Sequence, residues 1–481
     1  MNRKRLSLLA ALAFCACALG TTAASAQQPQ QLPQPSAATA RKETPPEGGK
    51  PRPFTLPKRD TFKLSNGLRV TLVPYGSIPK VTVRAVVRTG NIDDPAGKVW
   101  LADLTGDLMK EGTATRTAQA VAEEAARMGG ALSIGVGEEQ TNVGMDVLSE
   151  FGPEAAALVA DVLQRPGLPA SELDRLKTNQ IRNLTIARSQ PGQIAMERFR
   201  KILYGEHAFG RYFPEDAALK GYTIDDVKKF YADNFGAQRT HVYVVGQFDA
   251  AAMRRAVTRE FEKWGKGAAP VENLPKPTSA RALHLIDRPG AAQSTIYLGL
   301  PVVDPSHPDY VTLVVTDYLL GGAFGSRITT NIREDKGYTY SPGSSVSTRF
   351  RDAYWLQVAD VTTAVTGPSL KEIFFEIDRL QKEPPAAAEL QGIKNSLAGV
   401  FVIQNSSRGG IINQLAFLDL HGLPDTYLTN YVQNILNVTP SDVQRAARTY
   451  LRPDRMTLVV VGDREKIADQ LKPYGEPAQQ P

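Results

Sequence analysis

Two stretches 216 positions apart carry nearly the same local instructions. TIDDVKKFYADNFGAQRTHVYVVGQ begins at Thr223 and TPSDVQRAARTYLRPDRMTLVVVGD at Thr439; they align without a gap. Thr223/Thr439, Asp226/Asp442, Val227/Val443, Arg239/Arg455 and the closing Val-Val-Gly coincide. In each, a threonine with an aspartate three residues on predicts a capped helix start, because the two side chains satisfy backbone N–H groups that the first turn leaves free. An amphipathic helix follows, then a Val-rich strand of the buried kind that stops at Gly246 or Gly462. A unit used twice at this spacing sets two tandem domains of about that size rather than three smaller ones.

The starts of the halves correspond as well. FKLSNGLRVTLVPY places an Asn-Gly turn between two short alternating runs, a hairpin signal, and KVTVRAVV continues as a strand. STIYLGLPV holds the comparable place in the second half. Long helical patterns follow in both, TAQAVAEEAARMG and PSLKEIFFEIDRLQ. The expected fold is α+β: two tandem homologous domains, each a mainly antiparallel sheet with helices on one face. The boundaries read as 60–265 and 282–475, joined by a Pro/Gly/Ala linker at 266–281.

Ahead of the repeat stand two segments of another kind. Arg3, Lys4 and Arg5, the short apolar run LSLLAALAFCACALG and an Ala-Ser-Ala ending at Ala26 form a secretory signal peptide over 1–26. Residues 27–59 read as a Gln/Pro-rich tether with little to bury. Cleavage at Ala26 would remove both cysteines, Cys15 and Cys17, leaving no disulfide, thiol nucleophile or cysteine metal site. It also removes three basic and no acidic residues, so the net charge of +6 halves, which speaks against a nucleic-acid partner. No later apolar run is long enough to span a membrane. A periplasmic or secreted bacterial protein is expected.

From Phe62 to about Tyr474 the chain resembles the pitrilysin/insulinase family, the inverted zincins with an H-x-x-E-H motif. The resemblance rests on LSNGLRVTLV, KEGTATRT, YGEHAFG, FYADNFGAQRTHVYVVGQFD, GGAFGSRI and REDKGYTYS, in order and at family spacing. It implies a mitochondrial-processing-peptidase-like, two-domain subunit. In such a family two histidines at i and i+4 hold zinc, the glutamate between them is the base, and a later glutamate completes the site. Aligned on the Gly-Thr end of WLADLTGDLMKEGT, those positions are Asp103, Gly106 and Asp107, and a gapless count puts the later one at Asn183. All four are lost. Asp103 and Asp107 share a helical face, but two carboxylates alone make a weak cation site. His207, His241, His284, His307 and His421 include no pair at ligand spacing.

The second half keeps what the first lost. The resemblance implies that Arg333 and Tyr340, seven residues apart in NIREDKGYTYSPG, come from the domain facing a zinc site. There they would bind substrate and stabilise the tetrahedral intermediate. An arginine fork suits a peptide carbonyl or carboxylate, and a tyrosine hydroxyl can donate to an oxyanion. Locally, Arg333 is expected near a helix end, Gly337 as its left-handed cap, and YTYSPG as the start of a strand. LGGAFGSR lacks the Lys-Ser/Thr of a phosphate loop and reads as a turn after a core helix. The expectation is a non-zinc subunit without a cofactor of its own. A homologous partner with an intact H-x-x-E-H would carry zinc and cleave unfolded peptides. A catalytically inert scaffold or peptide-binding protein is the alternative. A new hydrolase site is disfavoured, since no Ser-His-Asp set on a nucleophile elbow is legible.

Overall fold

The computed structural model describes residues 55–478; the signal peptide read over 1–26 and the tether up to residue 54 lie outside the described residues. The described residues build two mixed sheets. The first contains β1 (Asp60–Lys63), β2 (Arg69–Pro74), β3 (Lys80–Val87), β4 (Ser133–Val136), β5 (Thr141–Leu148) and β6 (Thr240–Gly246), in the order β1-β2-β6-β3-β5-β4. The second contains β7 (Ala282–Asp287), β8 (Gln293–Val302), β9 (Gly343–Arg349), β10 (Asp352–Thr362) and β11 (Thr457–Gly462), in the order β7-β11-β8-β10-β9. Apart from β1 the two orders are the same. In each, the Val-rich strand pairs parallel with one neighbour, β2 or β7, and the other pairings are antiparallel.

Local chemistry explains the elements. Asn66 and Gly67 turn β1 into β2, with Gly67 at φ +97 where a side chain would be strained. Thr223 and Thr439 accept from the N–H of Asp226 and Asp442, whose carboxylates accept in return from the threonine N–H. Helices labelled in chain order are α1 (Leu101–Met109), α2 (Ala118–Arg127), α3 (Gly152–Gln164), α4 (Leu173–Ser189), α5 (Pro191–Tyr204), α6 (Ile224–Asn234) and α7 (Ala250–Phe261) in the first half. The second half has α8 (Tyr310–Asp317), α9 (Thr366–Lys382), α10 (Ala387–Gln404), α11 (Arg408–His421), α12 (Thr426–Asn437) and α13 (Pro440–Tyr450).

Two of these helices cross over. Each sheet packs helices of its own half on one face. Its other face takes a helix from the opposite half. Phe199 and Leu203 of α5 bury against Tyr354, Leu356, Val459 and Val461 of the second sheet. Ile411, Ile412 and Leu415 of α11 bury against Val73, Val86, Tyr243 and Val245 of the first. Val242 and Val244, pointing the other way, join the core under the first half's own helices. That double burial is why β6 and β11 read as unbroken apolar runs instead of alternating ones. Gly299 makes room for the exchange, since a Cβ there would lie 2.7 Å from the Phe199 ring.

Charge ties the exchange down. Glu138, in the β4–β5 turn, accepts from Arg200 of α5 at 2.6 Å and from Arg349 at the end of β9 at 2.6 Å. Arg349 is buried, ringed by Tyr204, Phe209 and Tyr354. Burial pushes the Glu138 carboxyl up, but the two guanidinium charges outweigh it and hold it below its ordinary range. Across the other contact, Arg408 of α11 grips Asp146 of β5 with two bonds, at 2.9 and 3.1 Å. His241 bonds Thr71 at 2.8 Å and meets Asp419 of α11. The end of the tether is docked as well: Leu56 packs beside Leu428 and Val432 of α12, and Arg59 pairs with Asp425.

Arg349→Met should therefore cost about 3 kcal/mol of stability, because it strands Glu138 with only Arg200 in a low-dielectric site. Urea unfolding checks this, and a second change, Glu138→Gln, should recover part of the loss.

Candidate functional site

Helix α1 begins without a side-chain cap of its own. Trp100 occupies the cap position at φ 69, a conformation that bulky residues rarely adopt. The work of capping falls to Asp94, whose carboxylate accepts from the N–H of Trp100 at 2.9 Å and of Ala102 at 2.8 Å. Burial, reinforced by the nearby charge of Asp103, pushes Asp94 up to about 8 despite those bonds. The loop before it is pinned to the β4–β5 turn, with Asn91 N–H on the Gly137 carbonyl and Ile92 N–H on that of Glu138.

Three of the four positions where the resemblance would put zinc chemistry make other contacts. Asp103 accepts from Asn91 Nδ2 at 2.6 Å, and burial raises it to about 6. Asp107 accepts instead from Lys110 at 2.9 Å. The shared helical face therefore does not make a shared site. A Cβ on Gly106 would lie 2.5 Å from Val136 Cγ2, so β4 leans on α1 where a catalytic base would extend. Asn183 is exposed on α4. The buried polar side chain of that helix is Gln180, whose Oε1 and Nε2 both lack a partner. Counting along the sequence could not single it out. Among the described residues no group of three or more histidine, cysteine, aspartate or glutamate side chains is placed to hold a metal ion. The donor set of α1 and α4 does not fit zinc. Two of the histidines serve packing: burial lowers His421 to about 4, and His241 joins α11 to β6.

Arg333 and Tyr340 are brought together. Arg333 lies in a widened helical turn, Thr330–Asp335. Gly337, at φ +64, caps that turn by donating to the Arg333 carbonyl, and Tyr338 donates to that of Ile332. The expected strand does not start at Tyr338: Thr339 makes a single bridge to Val361, and β9 begins only at Gly343. Tyr338 turns inward onto the second core while Tyr340 stays 80% exposed. The Arg333 guanidinium carbon stands 5.0 Å from the Tyr340 ring centre and 4.5 Å from that of Phe324, which is 71% exposed. Its Nε lies 3.2 Å from Glu334.

Phe324 is the member that the sequence reading missed, having taken GGAFGSR as a plain turn. The signal was there: a large apolar residue flanked by glycines with no periodicity to bury it. Gly321 and Gly322 serve packing, because a Cβ on either would strike Ser344, Gln357 or Asp317 within 3 Å. That tight turn sets Phe324 outward. An arginine held between two exposed rings is a preorganised cation with one face of each ring available to a ligand.

The two sheets in matching order and the crossed helices define a peptidase-like chain of two related halves. Residues 70–213 match the family model described as insulinase (peptidase family M16), and residues 221–397 the one described as peptidase M16 inactive domain. The chain belongs to peptidase family M16, the insulinase family. Among curated relatives it is 24% identical to an uncharacterized zinc protease, YmxG, of Bacillus subtilis, over 72% of this chain and 84% of that one. A second, the uncharacterized zinc protease SCO5738 of Streptomyces coelicolor, is also 24% identical, over 85% of this chain and 90% of its own. A peptidase M16 inactive domain structure from Pseudomonas fluorescens superposes with a TM-score of 0.78 at 23% identity, covering 84% of this chain and 98% of that one. A protease from Helicobacter pylori gives 0.78 at 21%, covering 85% of this chain and 100% of its own.

Two outcomes are expected at α1. Gly106→Glu should lose about 2 kcal/mol or more through overpacking against β4, with partial recovery on adding Val136→Ala, read by urea midpoints. The second concerns pH. Asp103 holds its proton more tightly folded than unfolded, so its contribution is complete below 3.8 and is lost as pH rises through about 6. Asp103→Asn should flatten the fall of stability across that window, measured by denaturation at a series of pH values against the unaltered chain.

Proposed function

We propose that this chain is the non-zinc subunit of a two-chain zinc metalloendopeptidase that cleaves unfolded peptides, lending Arg333 and Tyr340 to the zinc site of a homologous partner. One observation carries the reading: the side chains suited to substrate and oxyanion are exposed and preorganised in the second half, while Gly106 and Val136 close the corresponding helix in the first. The likeness to zinc proteases supports it. The export signal read at the N-terminus supports a periplasmic or secreted setting.

In this reading Arg333 leaves Glu334 when substrate arrives, at small cost, since an exposed ion pair is worth at most about 1 kcal/mol. Its fork then takes a peptide carbonyl or carboxylate while Phe324 and the Tyr340 ring keep it aligned. The Tyr340 hydroxyl donates to the oxygen that becomes negative as the peptide carbonyl is attacked. Metal and base belong to the partner, and a substrate strand held along a sheet edge would be read mainly through its backbone.

The test mixes the mature chain with a sister chain that carries H-x-x-E-H and follows cleavage of a quenched peptide. Cleavage only in the mixture, abolished by a chelator, is the expected result. Tyr340→Phe should then lower turnover about a hundredfold with the complex still eluting as one species. Unchanged turnover would remove the pair from the reaction and favour the peptide-binding scaffold.

A further inference from the structure

Helix α10 has a counterpart in the first half, and the two differ in one respect. Leu173, Lys177 and Leu184 of α4 align without a gap on Leu390, Lys394 and Phe401. The lysines do the same work. Lys177 donates to the carbonyls of Lys220 and Tyr222, and Lys394 to those of Leu436 and Val438, just ahead of the capping threonines. The exposed positions correspond as well. On α4 they carry Asp174, Arg175, Arg182 and Asn183; on α10 the same places hold Gln391, Gly392, Gly399 and Val400. Thr185 becomes Val402, while Ile186 and Ile403 are apolar in both, Ile403 being 71% exposed. The fold accepts charge on this face in one half, so its absence in the other is no demand of packing.

Charge is scarce around it too. Between Asn395 and Ser441 the chain has three charged residues, each engaged within the molecule: Arg408 by Asp146, Asp419 by His241 and Asp425 by Arg59. Beside α10, α12 turns out the amides of Asn430, Gln433 and Asn434, and the Phe401 and Tyr431 rings join the two helices with centres 4.6 Å apart. Exposed aliphatic groups in a charge-depleted setting have the composition of a protein–protein interface. Sites for small ligands are concave, whereas these groups stand out from a helix and suit a folded surface. The face is continuous with that of Arg333. Ser396 lies 3.2 Å from Tyr318 Oη, at the head of the turn that sends Phe324 outward, and Glu389 holds Arg327 just beyond it with two bonds of 2.8 Å. Val400 and Ile403 follow Ser396 along α10 by about 6 and 10 Å.

We infer that the outer face of α10 is the docking surface for the homologous zinc-bearing chain, through a matching surface that is apolar and uncharged. This rests on the two-chain reading above: a partner that brings its metal to Arg333 and Tyr340 reaches α10 in the same approach. The chain's own N-terminal segment suits the face less well. Residues 27–54 carry four basic and two acidic residues, and Leu56 joins the buried cluster of Phe401 rather than the exposed side.

Sedimentation velocity of the full mature chain mixed with a sister chain that carries H-x-x-E-H tests this. Ile403→Glu should weaken the complex at least about tenfold, and so should Gly399→Arg, which restores the residue of α4. A Cβ on Gly399 meets nothing within 4 Å, so the fold has room for the change. Phe375→Glu, at an exposed apolar residue of α9, should leave the complex as it was. Failure of the complex to form, full affinity in either α10 variant, or equal weakening by Phe375→Glu would overturn the assignment. Self-association of this chain alone that Ile403→Glu disrupts would give the face to a second copy, and tighter binding after deletion of residues 27–54 would give it to the N-terminal segment; either result overturns it as well. A quenched peptide added to the same mixtures separates this inference from the reading it rests on. A complex that Ile403→Glu weakens but that cleaves nothing would retire the metalloendopeptidase and keep the docking surface.

Discussion

Glu138 is the point on which the two halves agree. It is a carboxylate in a turn of the first sheet, satisfied by Arg200 from the helix that crosses over and by Arg349 from the edge of the second sheet. Attraction at short range in a poorly screened site outweighs the burial of one acid only because two cations share it. The same turn takes the N–H groups of Asn91 and Ile92, fixing the loop that delivers Asp94 to the start of α1. Packing between halves, the position of α1 and the closure of β4 onto Gly106 form one connected set of constraints.

Seen from that node, the asymmetry of the candidate sites has a physical shape. In the first half, polar groups are drawn inward to neighbours: Asp103 to Asn91, Asp94 to the helix end. The helix surface is spent on cohesion. In the second half, the glycine turn and the widened helical turn push Phe324, Arg333 and Tyr340 outward, where they contact mainly one another. Groups kept in contact with solvent at the expense of burial are available for recognition.

How much of this could be read from the sequence follows from how local each cause is. The capping boxes at Thr223 and Thr439, the Asn66-Gly67 turn and the glycine cap at Gly337 depend on residues within four positions, and all were legible. The Val-rich strands announced burial on both faces. They could not say what buries the second face, because α5 and α11 come from across the chain. Gly106 reads as a lost base in a count of positions and proves to be a packing requirement set by Val136, thirty residues away. Gln180 escaped for the same reason, since α4 packs against α1, a segment distant in sequence. The start of β9 slipped because Thr339 finds only one bridge before Pro342, which has no N–H to offer a ladder.

The exchange of α5 and α11 has a mechanical consequence. A hinge that opened one half from the other would have to peel two helices from apolar sheet faces at once, exposing Phe199 and Leu203 on one side and Ile411 and Leu415 on the other. Splitting the gene between the halves would leave each product with a bare hydrophobic sheet and a homeless helix. The halves are thus held as a single piece by two crossed helices rather than by a hinge.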